Sequence, residues 1–556
     1  MKFLRIVFSI LAIAGTLHTA KAQLLGSKAT TYTRADTLRG TLNANRTWWD
    51  VLRYNIHVTP DFTAKTIVGE TVIGFKVVGE GQKMQIDLQS GLEIDSVFLK
   101  SGNKKLLVPF VKDAGNTWLL TVSSVGIMRS ELTIKYHGKP REAVRPPWDG
   151  GWVWKKDVKG RPWMSVACQG TGASVWYPCK DHQSDEPDNG ASLSMTVSDT
   201  LVAVANGRLI SQTKEKNLAT YTWEVKNPIN NYTIIPYIGK YVHFGEAYMG
   251  EKGKLDCDYW VLDYNFDKAK EQFKQVPKML KAFEYWFGPY PFYEDSYKLV
   301  ESPYLGMEHQ SAVAYGNGYQ NGYLGRDRSG TGEGLKWDYI IIHESGHEWF
   351  ANNVTTKDIA DMWVHEGFTC YSETLFTDYW FGKEAGNKYL QGLRPGIRND
   401  KPIIGPYGIN EEGSGDMYIK GATLLHTIRQ IVGDEKFRQI LRGLNQTFYH
   451  KTVTTDQVEA YISKQATINF SKVFDQFLRT TQIPVLEWKY EKGTLYTKWT
   501  NCIAGFDMEV RFADVAGNLI TIKPSTVRNI SIEIELPADK SKLWDKNFYL
   551  EYKEVK

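Results

Sequence analysis

Long hydrophobic runs are missing from this 556-residue chain beyond its opening segment, so nothing there offers the twenty or so apolar residues that a membrane-crossing helix needs. Net charge is scarce as well. The formal value is +4, and it falls to +1 once Lys2, Arg5 and Lys21 of the opening segment are set aside. So weak a balance excludes the concentrated basic face that nucleic acid or an anionic membrane recruits, and neither partner is expected. Cysteines are few and odd in number: Cys168, Cys179, Cys257, Cys370 and Cys502. None forms a Cys-x-x-Cys pair, which argues against a zinc knuckle and against a disulfide framework. Cys168 and Cys179 are the nearest candidates for a bridge, but a chain of this size folds without staples, and free buried thiols are expected. Internal repeats and low-complexity tracts are absent too.

What is plentiful is aromatic surface: 18 Trp and 31 Tyr, enough for stacked cores or a lined groove. Hydrophobic residues at 42% and charged residues at 23% are the balance of a globular protein, and the length suits two to four domains. The first 22 residues read as a leader. Residues 1–5 carry two positive charges, residues 6–17 are a short apolar run, and Ala20-Lys21-Ala22 is a small-x-small cleavage site. An exported protein follows as the expectation, periplasmic or alternatively secreted or surface-associated.

Patterning divides the remainder into a multi-domain α+β chain. Residues 23–243 predict an antiparallel β domain, since from Trp49 to about His243 the chain mostly alternates with period two, as in 54–58, 71–77 and 84–88. Within it the stretch 145–163, rich in Trp, Gly and Pro, reads as a loop, either capped by its own aromatics or forming a cleft wall. Residues 244–482 read as mainly helical with a small sheet. Phe273, Val276, Leu280, Phe283 and Phe287 recur at helical steps, and further helical pattern covers 335–352, 364–381, 420–431 and 455–465. Alternation returns in 483–556, at 508–512, 530–534 and 548–552, predicting a small β-sandwich.

The strongest chemical signal is His343-Glu344-Ser345-Gly346-His347. Histidines four apart on a helix point the same way, roughly 6 Å apart at Cβ, so both imidazoles reach one zinc ion. Glu344, one step round from His343, sits beside the metal and is placed to handle the proton of a water there. A catalytic zinc keeps a third protein ligand and an open position. Glu366, nineteen positions after His347 and on the next helical pattern, is returned over the histidines by the turn at 355–361. Glu373, two helical turns further on, is a candidate partner for the free N–H of a ligand histidine.

This pattern resembles the gluzincin aminopeptidases, of the aminopeptidase N and leukotriene hydrolase type. Leu305-Gly306-Met307-Glu308-His309 looks like their Gly-x-Met-Glu-Asn exopeptidase motif, Trp176-Tyr177-Pro178-Cys179-Lys180-Asp181 like their aromatic-Pro-Cys-x-Asp stretch, and Met417-Tyr418-Ile419-Lys420-Gly421-Ala422 like their Tyr-x-Lys-Gly-Ala segment. The resemblance implies a thermolysin-like catalytic domain holding one Zn²⁺ on His343, His347 and Glu366. It implies Glu344 as general base, Tyr418 as donor to the oxyanion, and Glu308 as the group that meets the free α-ammonium of a peptide. Gly306, Met307, His309 and Gln169 are then substrate-binding residues. Departures are His309 and His365 where Asn is usual, and Leu305 where Gly is usual. His309 is expected to donate to the substrate backbone and to change charge near neutral pH. The large helical C-terminal domain of many relatives is not seen, from which a more open cleft is expected. Two other readings stay open: a zinc endopeptidase of thermolysin type, which shares the His-Glu-x-x-His pattern and the distant glutamate, and a catalytically weak member that only captures peptides.

Overall fold

The structure is a computed structural model in which residues 32–556 are described, so the leader read at residues 1–22 lies outside them. Period-two burial builds the N-terminal half. Every second residue of Ala191–Ser198 and of Leu218–Val225 is buried, because successive side chains of a strand point to opposite faces. One sheet runs in the order Arg208–Glu215, Leu218–Val225, Ala191–Ser198, Trp49–Asp61, Thr66–Val77, Arg129–Gly138, Leu92–Ser101, Lys104–Leu107. Its pairs are antiparallel apart from Trp49–Asp61 and Ala191–Ser198, which run parallel with Tyr54 opposite Ala191. Alternation alone is the same for both orientations, so the sequence does not reveal that pair. A three-stranded and a four-stranded sheet pack with it around one buried core.

The stretch 145–163 is a loop only in part, over 145–150 and the turn 157–161. Gly151–Lys156 and Pro162–Ala167 are paired strands, with Trp154 opposite Met164 and Trp152 opposite Val166. The Trp152 and Trp154 rings stack 5.1 Å apart inside the core, so they form neither a loop cap nor a cleft wall. Asp157 ties the turn, accepting from the backbone N–H groups of Lys159 and Arg161.

The middle of the chain wraps helices over a five-stranded sheet ordered Tyr241–Gly250, Gly253–Leu262, Tyr297–Glu301, Val313–Tyr315, Gly306–Met307. Gly306–Met307 is the edge strand, antiparallel to Val313–Tyr315. Met307 packs into the N-terminal core, which roots this edge against the β domain. The helix expected after Asp267 is interrupted: Phe266–Gln272 gives way to a single tighter turn before Val276–Phe287. The helix expected over 335–352 is confined to Tyr339–Gly346. Asp338 sets its start, Oδ1 accepting from the N–H of Ile340 and Ile341 while Oδ2 accepts from Gln272 and Tyr315. Beyond Gly346 the backbone widens, Asn352 N–H reaching the carbonyl of His347 and Asn353 N–H that of Glu348.

Trp363–Phe381 and Ile419–Val432 follow the sequence pattern closely. They approach backbone to backbone, since a Cβ on Gly421 would lie 3.0 Å from the Cα of Gly367. The C-terminal strands form a four-stranded sheet and a hairpin, and Leu486, Trp488, Trp499 and Phe512 share the helices' buried core. The five cysteines are free, and buried Cys168 donates its S–H to the carbonyl of Tyr232. No helix among the described residues is long and apolar enough to cross a membrane.

Candidate active site

Three side chains converge between two helices. His343 and His347 come from the C-terminal turn of Tyr339–Gly346 and its cap, and Glu366 from the first turn of Trp363–Phe381. Glu366 Oε2 lies 3.8 Å from His343 Nε2 and 3.5 Å from His347 Nε2. The outer nitrogens are already engaged. His343 Nδ1 lies 2.7 Å from Glu373 Oε1, and His347 Nδ1 lies 3.1 Å from the carbonyl of Phe350 and 3.0 Å from the Thr369 hydroxyl. Both Nε2 lone pairs therefore face inward. Burial, then the neighbouring His343, holds His347 well below the ordinary histidine value and keeps it neutral, the form a metal ligand needs.

Glu366 Oε2 is buried and has no hydrogen-bond partner, an arrangement that costs free energy unless a cation completes it. Ligands about 2.1 Å from one ion at tetrahedral angles stand about 3.4 Å apart, close to the separations seen here. Two imidazoles and one carboxylate fit Zn²⁺ by donor chemistry as well. Glu344 belongs to the same cluster, its carboxylate within 4.8 Å of the histidine nitrogens. Burial, then Glu308 and Glu373, raises Glu344 well above the usual carboxylate range. A methyl on Gly306 would come 2.8 Å from Glu344 Oε1, so the bare backbone of the edge strand lies directly against this carboxylate.

A second carboxylate stands at the end of that edge strand. Glu308 is 2% exposed, and its Oε1 accepts from Gln169 Nε2 at 2.6 Å and from the Tyr232 hydroxyl at 2.9 Å. Gln169 Nε2 also lies 3.4 Å from Glu366 Oε1, linking the two carboxylates. Both of these side-chain donors sit on Oε1 rather than Oε2. Burial pushes Glu308 up to about 7. Tyr232 carries no motif in the sequence, and only the tertiary fold reveals it.

His309 departs from expectation. It is wholly buried, with Nδ1 2.6 Å from the Tyr237 hydroxyl. That hydroxyl donates to the carbonyl of Ala312, so its oxygen accepts from His309 Nδ1–H. Burial pushes His309 down to about 3, which removes the charge change expected near neutral pH. His365, the other departure, accepts from the Thr356 N–H through Nε2 and closes the turn before the Glu366 helix.

Tyr418 opens the Ile419–Val432 helix, its ring 6.2 Å from that of His343 and its hydroxyl within reach of Glu366. Burial, then Glu366, Glu412 and Glu308, keeps this phenol protonated far above its ordinary value. Glu412 is a second group that the sequence did not single out. It lies on the loop before Tyr418, facing Gly170, and burial raises it too.

Histidines one helical turn apart, a carboxylate from the adjoining helix and a further glutamate beside them define a site of the metallopeptidase class. The sequence model of the peptidase family M1 domain matches residues 271–477, and that of the peptidase M1 N-terminal domain matches residues 51–233. Together they take in well over half of the protein, and the chain belongs to the peptidase M1 family. Leukotriene A-4 hydrolase of Xenopus laevis is 25% identical over 378 residues, 63% of this chain and 59% of its own length. Probable aminopeptidase 1 of Sulfurisphaera tokodaii is 22% identical over 517 residues, 89% of this chain and 59% of its own length. The chain thus spans a little over half the length of these curated relatives. A crystal structure of an M1 zinc metallopeptidase variant from Deinococcus radiodurans, bound to a Tyr-Ser-Ala substrate, shares the fold with a TM-score of 0.64 at 21% identity, over 78% of this chain and 95% of that one.

Proposed function

We propose that this protein is a zinc-dependent aminopeptidase that removes N-terminal residues from peptides. The observation that carries the reading is Glu366 Oε2, buried, unpaired and nearly equidistant from two inward-facing imidazole nitrogens. His343, His347 and Glu366 would hold the ion, which when bound supplies Lewis acidity toward water and the scissile carbonyl. Glu344 accepts the proton of the attacking water and returns it to the leaving amine. Burial, then Glu308 and Glu373, raises its affinity for protons. Tyr418, kept protonated, donates to the carbonyl oxygen as negative charge develops there.

Glu308 supports an exopeptidase over an endopeptidase. Gln169 and Tyr232 occupy Oε1 and leave Oε2 for a substrate ammonium, fixing the chain end one residue from the reacting carbonyl. An internal peptide bond brings no positive charge to neutralise that buried carboxylate. The leader-like residues 1–22 support export, and the periplasm is the compartment proposed.

Glu344→Gln is the test. It should abolish hydrolysis of aminoacyl-anilides while zinc content stays at one ion per chain. Full turnover in this variant would overturn the role of Glu344, and cleavage of N-acetylated peptides as fast as free ones would replace the aminopeptidase with an endopeptidase.

A further inference from the structure

His343 and His347 are not supported alike. His347 Nδ1 meets neutral oxygens, whereas His343 Nδ1 meets the carboxylate of Glu373, which is wholly buried. Glu373 is itself held from the other side, its Oε2 accepting from the Tyr389 hydroxyl at 2.5 Å. A carboxylate tied through one oxygen still pivots about that contact; tied through both, it has a fixed plane. Tyr389 comes from the next helix, Lys383–Leu393, so the plane of Glu373 is set from outside its own helix.

A cation completes the arrangement. Arg328 belongs to an exposed turn, yet its guanidinium lies 4.8 Å from the Tyr339 ring, donates to the Tyr339 hydroxyl, and has Glu373 and Tyr389 among its electrostatic partners. Tyr339, four residues before His343 on the same helix, stacks on the His343 ring at 5.1 Å and 15°. His343 is therefore fixed by its edge through Glu373 and by its face through Tyr339, and Arg328 bears on both. With Oε2 taken by Tyr389, Glu373 Oε1 is the oxygen that accepts from His343 Nδ1–H, which leaves Nε2 facing inward.

We propose that Arg328 and Tyr389 are positioning residues that lock Glu373, and through it His343, into the orientation a zinc ligand requires. This rests on the reading of His343 as a zinc ligand. Neither residue touches the reacting groups, so the readout is metal affinity rather than turnover.

The experiment is competition for Zn²⁺ against a chromophoric chelator on the full chain, with the visible spectrum of the Co²⁺-loaded protein as a second signature. Tyr389→Phe and Arg328→Met should each weaken zinc binding on the order of 10-fold and shift the cobalt bands, and Glu373→Gln should do so by 10- to 100-fold. Arg328→Lys should recover part of the loss. Trp337→Phe, which alters the ring packed 5.2 Å from Tyr389 but no hydrogen bond to Glu373, should bind zinc as the wild type does. Wild-type affinity in folded Tyr389→Phe and Arg328→Met proteins overturns the proposal, as does an equal loss in Trp337→Phe, which would make the effect one of packing. A wild-type chain that binds no zinc would overturn the functional reading itself, a result distinct from the other two.

Discussion

Replacing Glu308 by glutamine keeps the shape of the side chain and removes one negative charge from a buried position. At 2% exposure, solvent screens little of a contact between that carboxylate and a substrate ammonium. A charge-assisted contact contributes about 1.5–3 kcal/mol, which is about 10- to 150-fold in kcat/KM. The upper end applies here. Gln169 and the Tyr232 hydroxyl both donate to Oε1, so the new amide must turn its oxygen toward them and its NH₂ toward the substrate, donor against donor. The assay compares aminoacyl-anilides with their N-acetylated counterparts in both proteins. Free-amine substrates should lose about 100-fold, and acetylated ones should be nearly unaffected. The ratio of wild type to variant should also depend on pH. Glu308 is pushed up to about 7, so its charge is present above that value and is lost as the pH falls through it. The advantage of the wild type should therefore shrink between pH 8 and pH 5.5. An equal loss on acetylated substrates, or a loss below 3-fold on free amines, would refute the reasoning.

The close approach of Gly367 and Gly421 makes the position of Tyr418 sensitive to a substitution three residues away. Gly421→Val should wedge the two helices apart and lower kcat by at least about 10-fold, with zinc content unchanged; normal kcat would show that Tyr418 does not depend on this contact. Arg46 is wholly buried, pairs with Asp87 and donates to the carbonyls of Arg39 and Thr41, so Arg46→Ala leaves a buried charge without its partner. A cost of about 3–5 kcal/mol should appear in scanning fluorimetry as an earlier transition. Burial already raises Asp87 against the pull of Arg46, and a group whose folded pKa is raised favours the fold below its unfolded value, so the deficit should narrow toward pH 4. An unchanged transition temperature at pH 7.5 would count against the buried pair. His309→Asn should leave the acid limb of the pH–rate profile in place, because burial holds His309 neutral down to about pH 3. A displacement of the limb by about half a unit or more would contradict that.

Much of the site is legible in sequence because its spacing is helical. His343, Glu344 and His347 share one helix end, and Glu366 and Glu373 share a face of the next, so a periodicity of 3.6 suffices to bring them near one point. Tyr232, Tyr389 and Arg328 were not legible, since each reaches the site across a tertiary contact between segments distant in the chain. The same limit applies to the fold. The long helix 363–381 is marked by its own pattern, whereas the preceding helix ends at Gly346 in tightened turns, Glu348 N–H reaching Ser345 and Trp349 N–H reaching Gly346, that carry no sequence signature. The Trp152–Trp154 hairpin was hidden because aromatic and glycine density reads as a loop until the partner strand at 162–167 is seen to bury it.

The geometry also accounts for why so many acidic groups are tolerated in one cleft. Glu308, Glu344, Glu366 and Glu412 are all raised by burial, and the first three act on one another or share a neighbour in the fourth. Left to themselves, such groups would take up protons or open the cleft to water. The proposed function supplies two positive charges that would relieve the cluster at different points: a divalent ion at Glu366 and an ammonium at Glu308. Because Gln169 Nε2 touches both carboxylates, at 2.6 Å and 3.4 Å, neutralising one changes the field at the other. In the proposed function, metal and peptide N-terminus are therefore not independent ligands. On the proposed reading a free amine is favoured over an internal bond by the same repulsion that favours the ion, with Glu344 standing between the two.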